Sequence, residues 1–182
     1  MGLGIKNFQG YKIEIRPLGR GDLRRPEKFQ EFINSLIKEE AMILMRTKKT
    51  RKEELEWLKR ELGDIKSGQK VVLVAEDKGQ IVGSTRITLG KEREDHIGTF
   101  GISIRSGYRG IGLGKYLMAE IIKLAKKTFG KKIKIVLLNV FDGNKPAMSL
   151  YKKMGFKPVA KLPKRIQYRD KLISETVMML DV

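Results

Sequence analysis

The sequence contains no cysteine, which excludes disulfides, cysteine-based zinc sites and a cysteine nucleophile. Its one histidine, His96, excludes a metal site built from several histidines. No uncharged apolar run approaches the roughly 18 residues of a membrane span. Met1–Gly10 lacks the apolar stretch of a signal peptide. These absences predict a cytoplasmic protein with no metal and no membrane partner.

Basic residues are in large excess, because 39 Lys and Arg stand against 21 Asp and Glu, a formal net charge of +18. The charge is scattered, so both a solvated basic surface and an anionic partner are open interpretations. With 41% hydrophobic residues, the chain is too apolar for charge-driven disorder. Its 182 residues suit one domain spanning residues 1–182. No helix-turn-helix, zinc-finger or aromatic-rich RNA-binding motif is present, which argues against a nucleic-acid partner.

Hydrophobic periodicity predicts a mixed order of strands and helices. The expected elements are strand Tyr11–Arg16, helices Arg24–Glu40 and Arg51–Leu62, strands Val71–Ala75, Ile81–Leu89 and Ile97–Arg105, helix Lys115–Phe129, strand Ile133–Val140, helix Lys145–Met154, and strands Phe156–Leu162 and Thr176–Leu180. The second helix is expected to begin at a capping box of Thr50 and Glu53 and to end at Gly63. This order predicts an α/β or α+β domain and not a repeated β-α fold.

A glycine-rich loop joins a predicted strand to a predicted helix and reads Arg109-Gly-Ile-Gly112-Leu-Gly114. Glycines let the main chain approach a ligand closely and adopt positive φ. The free N–H groups of the following helix turn, with the helix dipole, favour an anion. The spacing differs from a dinucleotide fingerprint, and Tyr116 replaces the Ser or Thr of a P-loop. The loop therefore indicates another type of phosphate site, with a ligand-free turn as the alternative.

Two motifs resemble those of one protein family. Arg109-x-x-Gly112-x-Gly114 opening a long helix resembles the acyl-CoA pyrophosphate motif of the GNAT superfamily of N-acetyltransferases. Asn144-Lys-Pro-Ala-Met-Ser-Leu-Tyr-Lys-Lys-Met-Gly-Phe156 resembles that superfamily's Asn-x-x-Ala-x-x-Leu-Tyr-x-x-x-Gly-Phe signature. The resemblance covers roughly Tyr11–Leu180. It implies a mixed, mostly antiparallel twisted sheet of about six or seven strands, splayed between two parallel strands and flanked by about four helices.

The resemblance also implies acetyl-CoA as the cosubstrate and acetyl transfer to a primary amine by direct attack in a ternary complex. The pantetheine arm would enter between strands Ile97–Arg105 and Ile133–Val140. The implied arm-binding residues are Ile102 and Ile104 through their backbones, Asn144 through its side chain, and Ala147, which leaves room. The implied pyrophosphate cradle consists of Arg109, Gly110, Ile111, Gly112, Leu113, Gly114 and Lys115.

Two candidate catalytic residues follow from the resemblance. Tyr151 matches the tyrosine that protonates the departing thiolate, and packing on Leu150 and Phe156 is its structural alternative. Family members often carry Glu or His on the strand before the glycine loop, where residues 98–100 of this chain do not titrate. His96 shares a strand face with Ile102 and is the candidate base or relay. A solvated strand-end histidine and a water chain to bulk are the alternatives.

No motif encodes the acceptor amine. Segments Glu40–Lys49 and Leu162–Ser174 are expected to shape its site, and both are basic, which disfavours polyamines unless Glu39 and Glu40 line the site. A small amine metabolite is the expected acceptor, and a protein lysine or N-terminus is the alternative. A basic nucleic-acid-associated or CoA-sensing binding protein is the alternative from another class. An exposed strand edge could support a homodimer.

Overall fold

One sheet runs through the part of the molecule that the computed structural model describes, residues 3–182. Its strands are β1 (Gly4–Phe8), β2 (Tyr11–Pro17), β3 (Lys70–Asp77), β4 (Gln80–Leu89), β5 (Ile97–Ile104), β6 (Ile135–Phe141), β7 (Lys157–Tyr168) and β8 (Lys171–Asp181). Hydrogen bonds join them in the order β1-β2-β3-β4-β5-β6-β8-β7. The helices are α1 (Pro26–Lys38), α2 (Arg51–Lys66), α3 (Leu113–Phe129) and α4 (Lys145–Lys153).

Neighbouring strands are antiparallel, with β5 and β6 as the exception. These two strands are parallel and pair only over Ile97–Thr99 and Ile135–Leu137. The expected mixed, mostly antiparallel sheet with one parallel pair and four flanking helices is confirmed. Between residues 3 and 182 the sheet has eight strands, one more than the sequence predicts. The additional strand is β1, whose residues are mostly exposed and therefore carry little hydrophobic pattern.

The helices cover opposite faces of the sheet in pairs. Successive residues of β3 alternate between two hydrophobic clusters, as the pleat of a strand requires. Val71 and Leu73 pack in a cluster with most of the buried residues of α3 and with Tyr151 of α4, whereas Val72 and Val74 pack with α1 and α2. Among residues 3–182, no helix has the length and apolar character needed to cross a membrane.

Local signals place most of these elements within a few residues of their predicted bounds. The capping box before α2 is confirmed, because Thr50 N–H donates to Glu53 Oε2 at 2.8 Å and Glu53 N–H donates to Thr50 Oγ1 at 3.2 Å. The hydrophobic periodicity that predicts helix Lys115–Phe129 is also confirmed, because Leu117, Met118 and Ile121 form a fully buried stripe on α3. Capping and periodicity therefore decide where these two helices lie.

Two predicted boundaries are wrong. Helix α2 does not end at Gly63 but continues to Lys66. Ile65 packs against the α1–α2 cluster, and this burial offsets the cost of about 1 kcal/mol for a glycine inside a helix. The segment 162–174 is mostly strand and not a connection, because β7 and β8 pair as far as Tyr168 and Lys171 and form a long hairpin.

A close contact on β5 generates a stability prediction. A Cβ atom at Gly98 would lie 2.7 Å from Ile87 Cγ2 and 2.8 Å from Ile133 Cδ1. Gly98→Ala is therefore expected to lower the free energy of unfolding by about 1–3 kcal/mol in a urea titration, because the core must shift. Gly101→Ala on the same strand is the control, since its Cβ atom would approach Arg86 no closer than 3.7 Å. An equal loss in both variants would contradict this explanation.

Candidate active site

Strands β5 and β6 diverge after their short parallel pairing. Beyond Thr99 and Leu137, β5 continues against β4 and β6 continues against β8. The two strands therefore enclose an open wedge, which we call the β5–β6 cleft, between residues 100–104 and 138–141. The glycine loop and α3 follow β5, and α4 follows β6, so both helices begin at the wide end of the cleft.

The backbone of β5 presents alternate residues to the cleft. Arg105 N–H donates to Val82 O of β4 at 2.9 Å, so odd-numbered residues of β5 direct their hydrogen-bonding groups toward β4. Even-numbered residues, including Ile102 and Ile104, direct theirs toward the cleft. Within the described residues no strand pairs with Ile102 on that side. Its N–H and C=O are therefore positioned to bond an extended ligand.

Arg109 fixes the glycine loop to the end of β5. Its Nε donates to the carbonyl of Ile104 at 2.7 Å, and its guanidinium forms an ion pair with Glu39, directly after α1. The Ile104 carbonyl is thus engaged by the protein itself. Of the two predicted backbone contacts, Ile102 offers both of its groups and Ile104 offers its N–H.

The glycine loop has the geometry of an anion cradle. Gly110 and Gly112 have φ values of 79° and 92°, and no atom lies within 4 Å of a Cβ built on either. Gly112 is the N-cap of α3 without a side-chain cap, so the first-turn N–H groups after it remain available. A Cβ at Gly114 would lie 3.2 Å from both Ile104 Cδ1 and Leu150 Cδ2, so α3 begins in close contact with β5 and α4. These features fit a pyrophosphate.

Two residues at the start of α4, Asn144 and Ala147, are the other predicted contacts of the pantetheine arm. Asn144 is the N-cap of α4, and its Oδ1 accepts from Ala147 N–H at 3.3 Å. Its amide nitrogen is therefore the group that can reach an arm in the cleft. Ala147 packs against the α3–α4 cluster as a partly buried residue.

Tyr151 lies beside the point where β5 and β6 part. Only 7% of its surface is exposed, and its ring packs edge-on against Phe100 at a centroid distance of 6.2 Å. A second contact, also 6.2 Å, joins it to Phe156. Burial raises the pKa of Tyr151 to about 12. The aromatic packing is therefore present, and the hydroxyl keeps its proton well above neutral pH.

His96 is not brought together with these residues. It precedes β5 at the closed end of the pair, where its carbonyl accepts from Lys134 N–H at 2.9 Å. Four residues, or about 13 Å of strand, separate it from Phe100, which contacts Tyr151. His96 and Ile102 share a face because side chains alternate along a strand, but the two residues lie near opposite ends of β5.

A cavity of about 610 Å³ lies beside the cleft, on the sheet face opposite α3 and α4. It is lined by parts of segment 37–46, by Asn139 and Phe141 of β6, by residues 165–170 of the β7–β8 hairpin, and by Glu175. We call it the hairpin cavity. It brings together the two segments that the sequence associates with the acceptor.

The end of α1 joins the walls of this cavity. Tyr168 Oη donates to the carbonyl of Glu40 at 2.7 Å, and Arg169 Nε donates to Glu40 Oε2 at 2.8 Å. Glu40 therefore lines the hairpin cavity, while its neighbour Glu39 is held by Arg109. The two residues that directly follow α1 thus contact the glycine loop, through Glu39, and the β7–β8 hairpin, through Glu40.

Sequence reasoning missed two residues of the site. Glu175 is 3% exposed and accepts from Asn139 Nδ2 at 3.1 Å. Its signal in the sequence is a single acid within the otherwise uncharged stretch Ile173–Leu180. Asn139 has no such signal, because a polar residue in a strand ordinarily faces solvent. No group of three or more His, Asp or Glu side chains is arranged to hold a metal ion in the described chain.

The chain is similar to known acetyltransferases. Residues 33–156 match the model of the Acetyltransferase (GNAT) family. An L-amino acid N-acetyltransferase of Escherichia coli K12 is 34% identical over 85 residues, or 46% of this chain. An N-alpha-acetyltransferase of Sulfurisphaera tokodaii is 32% identical over 104 residues, or 52% of this chain. The matches span 51% and 61% of the length of these two relatives.

Solved structures share the whole fold. A GNAT acetyltransferase from Streptococcus pneumoniae superimposes with a TM-score of 0.81 at 24% identity, over 93% of this chain and 99% of that one. The yncA protein of Salmonella typhimurium, solved with its cofactor acetyl-CoA, gives 0.77 at 18% identity over 93% of each chain. Because the family match spans more than half of the sequence, the chain belongs to the GNAT family of acetyltransferases.

The glycine loop generates a binding prediction. Gly112→Glu places a carboxylate where first-turn N–H groups face the cleft, so acetyl-CoA affinity is expected to fall by about tenfold or more through charge and steric conflict. Gly130→Glu is the matched control, because Gly130 also has positive φ and open space but lies at the far end of α3. Calorimetric titration of acetyl-CoA measures both variants. Equal affinity in the two would remove the loop from the binding site.

Proposed function

We propose that this GNAT N-acetyltransferase transfers an acetyl group from acetyl-CoA to a primary amine by direct attack in a ternary complex. The observation that carries the proposal is the β5–β6 cleft, which opens toward an anion cradle at one end and adjoins the hairpin cavity on one face. We also assign the whole chain, residues 1–182, to one acetyltransferase domain that works in the cytoplasm. The edge strands β1 and β7 are the surfaces through which a homodimer could form.

Acetyl-CoA supplies a reactive thioester when it is bound. The residues that would hold its pyrophosphate are those of the loop from Arg109 to Lys115, through backbone N–H groups and the Lys115 side chain, while the Arg109 side chain anchors the loop to Ile104 and Glu39. The backbone carbonyl of Ile102 and the N–H of Ile104 would bond the pantetheine arm from the β5 side. Asn144 and Ala147 would border it from α4. This assignment uses the groups that the fold leaves available in the cleft.

Three tasks fall to the residues near the reacting atoms. The N–H of Ile102 is positioned to polarise the acetyl carbonyl and to stabilise the negative charge that develops on its oxygen. Tyr151 retains its proton at neutral pH and can donate it to the departing sulfur. The attacking amine must lose a proton, and because His96 lies at the closed end of the strand pair, we assign this step to water that leads to bulk solvent.

A small amine is the acceptor that the hairpin cavity fits best. Its volume of about 610 Å³ suits a metabolite, and the E. coli relative is an L-amino acid N-acetyltransferase. A protein N-terminus is the second candidate. It is supported by Leu44, which is 76% exposed at the cavity wall, and by the N-alpha-acetyltransferase of S. tokodaii.

The proposal is tested by titrating acetyl-CoA calorimetrically and then measuring thiol release with a panel of small primary amines and peptides. Binding followed by thiol release with one acceptor class is the expected result. Absence of acetyl-CoA binding, or absence of thiol release with both classes, would contradict the proposal.

Removing the Tyr151 hydroxyl is expected to slow turnover more than it weakens binding. Tyr151→Phe keeps the ring packing against Phe100 but loses the acid, so kcat should fall about a hundredfold or more while acetyl-CoA affinity is retained. Tyr116→Phe is the control, because Tyr116 packs against Phe8 on the outer side of α3. An unchanged kcat in the Tyr151 variant would show that Tyr151 contributes only to packing and is not the acid.

The pH profile provides the second readout for Tyr151. A pKa raised to about 12 keeps the hydroxyl protonated throughout the range from neutral pH to pH 10. The rate should therefore show no loss over this range from deprotonation of the acid, since that loss begins only as the pH approaches 12. A fall in kcat centred near pH 8 or 9 that disappears in Tyr151→Phe would contradict the raised pKa of this hydroxyl, while still identifying Tyr151 as the acid.

A further inference from the structure

We propose that Glu175 binds the ammonium group of the acceptor and that Arg46 and Arg165 bind an acidic group of the same molecule. The acceptor class is then a zwitterionic amine, such as an amino acid. This inference rests on the proposed acetyl transfer and defines its substrate. It is carried by the burial of Glu175 and by the charges along the hairpin cavity.

Glu175 is a buried carboxylate with spare hydrogen-bonding capacity. Its residue is 3% exposed, yet its one side-chain hydrogen bond within the described residues comes from the neutral amide of Asn139, at 3.1 Å. An ionised carboxylate can accept about four hydrogen bonds. Burying a charge without a partner is unfavourable. A cation that enters the cavity would supply the missing donors.

The nearest cationic side chain does not meet that need. Arg165 Nε lies 4.0 Å from Glu175 Oε2, beyond hydrogen-bond distance, and the arginine side chain is 64% exposed. One acid close by in the fold shows what a firmly held carboxylate looks like. Asp142 has Lys161 Nζ at 2.6 Å and a donated hydrogen bond from Thr176 at 2.9 Å. The contact between Glu175 and Arg165 is therefore a weak one that leaves the carboxylate able to take a ligand.

Glu175 is placed to deliver an amine to the cleft. It pairs with Phe141 across β6 and β8 and lines the hairpin cavity. Its hydrogen-bond donor, Asn139, is two residues beyond Leu137, the last residue of β6 that pairs with β5. An ammonium group held by Glu175 would consequently lie beside the open part of the cleft, on the face away from α3 and α4.

The arginines of the cavity supply the opposite charge. Arg169 is already engaged, because its Nε donates to Glu40 Oε2 at 2.8 Å. Arg46 and Arg165 are exposed residues of the cavity wall and come from the two segments that face each other across it. A carboxylate or similar acid is the group that guanidinium binds best. The arrangement of one buried acid and two arginines therefore suits a molecule with both charges.

The experiment compares matched ligands by calorimetry in protein saturated with coenzyme A. The ligands are L-methionine, L-leucine and L-phenylalanine, each beside its carboxamide, which keeps the amine and lacks the carboxylate. At least one acid should bind about tenfold more tightly than its carboxamide. An amide that binds as tightly as its acid throughout the panel, or no binding by any acid in protein that does bind coenzyme A, would overturn the proposal.

Two variants that remove a charge, with a third as control, separate the two charged contacts. Glu175→Gln should weaken binding of the acid and of the carboxamide by about tenfold or more, because both carry the ammonium group. Arg165→Gln should weaken binding of the acid alone. Asp181→Asn is the control, since Asp181 is an exposed residue of the same strand as Glu175 at its other end, opposite Ile135 and outside the cavity lining, and it should change neither. Glu175→Gln with wild-type affinity would refute the assignment of the ammonium site.

Thermal unfolding and coenzyme A affinity accompany each variant. Both should match the wild type, which shows that the fold and the glycine loop are intact. If coenzyme A fails to bind to the wild type, the proposed acetyl transfer fails. If coenzyme A binds and thiol release occurs with peptides alone, acetyl transfer holds and the zwitterionic substrate class is overturned.

Discussion

The short parallel pairing of β5 and β6 is the constraint on which the site depends. Only three residue pairs join β5 to β6. Beyond them the two strands diverge, because β5 continues its hydrogen bonding with β4 and β6 continues its hydrogen bonding with β8. Residues of β5 such as Ile102 then have backbone groups without a strand partner in the described structure. Partly buried backbone groups of this kind need a hydrogen-bonding ligand or water, so the topology leaves open the surface to which we propose that an extended arm binds.

The wide end of the cleft is held by close packing and one arginine. Gly114 permits α3 to begin against Ile104 and Leu150, and Arg109 ties the loop to the end of β5 and to Glu39. The following residue, Glu40, contacts the β7–β8 hairpin. The end of α1 thus connects the glycine loop with the wall of the hairpin cavity. These contacts place the loop and the cavity beside each other, which suits the direct transfer between bound molecules that we propose.

Features that depend on local chain geometry could be predicted from the sequence. The capping box of Thr50, the buried stripe of α3 and the glycine loop each arise from residues within a few positions of one another. The same reasoning failed at Gly63, where burial of Ile65 outweighs the local preference to end the helix, and it missed β1, which hydrogen bonds to β2 hold without burying a hydrophobic face. Tertiary packing decided the end of α2. Strand β1 instead forms a hairpin with β2 around Gln9 and Gly10, both at positive φ, so its only local signal is a two-residue glycine turn.

On the acceptor side, the two segments that line the hairpin cavity could be predicted, but the contacts between them could not. Contacts such as Tyr168 with Glu40 join residues 128 positions apart, so the shape of the hairpin cavity emerges only when the sheet is complete. His96 illustrates a different limit of sequence reasoning. It shares a strand face with Ile102, but a shared face does not bring two residues of one strand close together. Glu175 could be predicted only in part. The sequence shows a single charge in an apolar strand, but only the fold shows that this strand borders the cleft. A buried charge becomes a candidate functional group when it lies beside a site whose ligand carries the opposite charge.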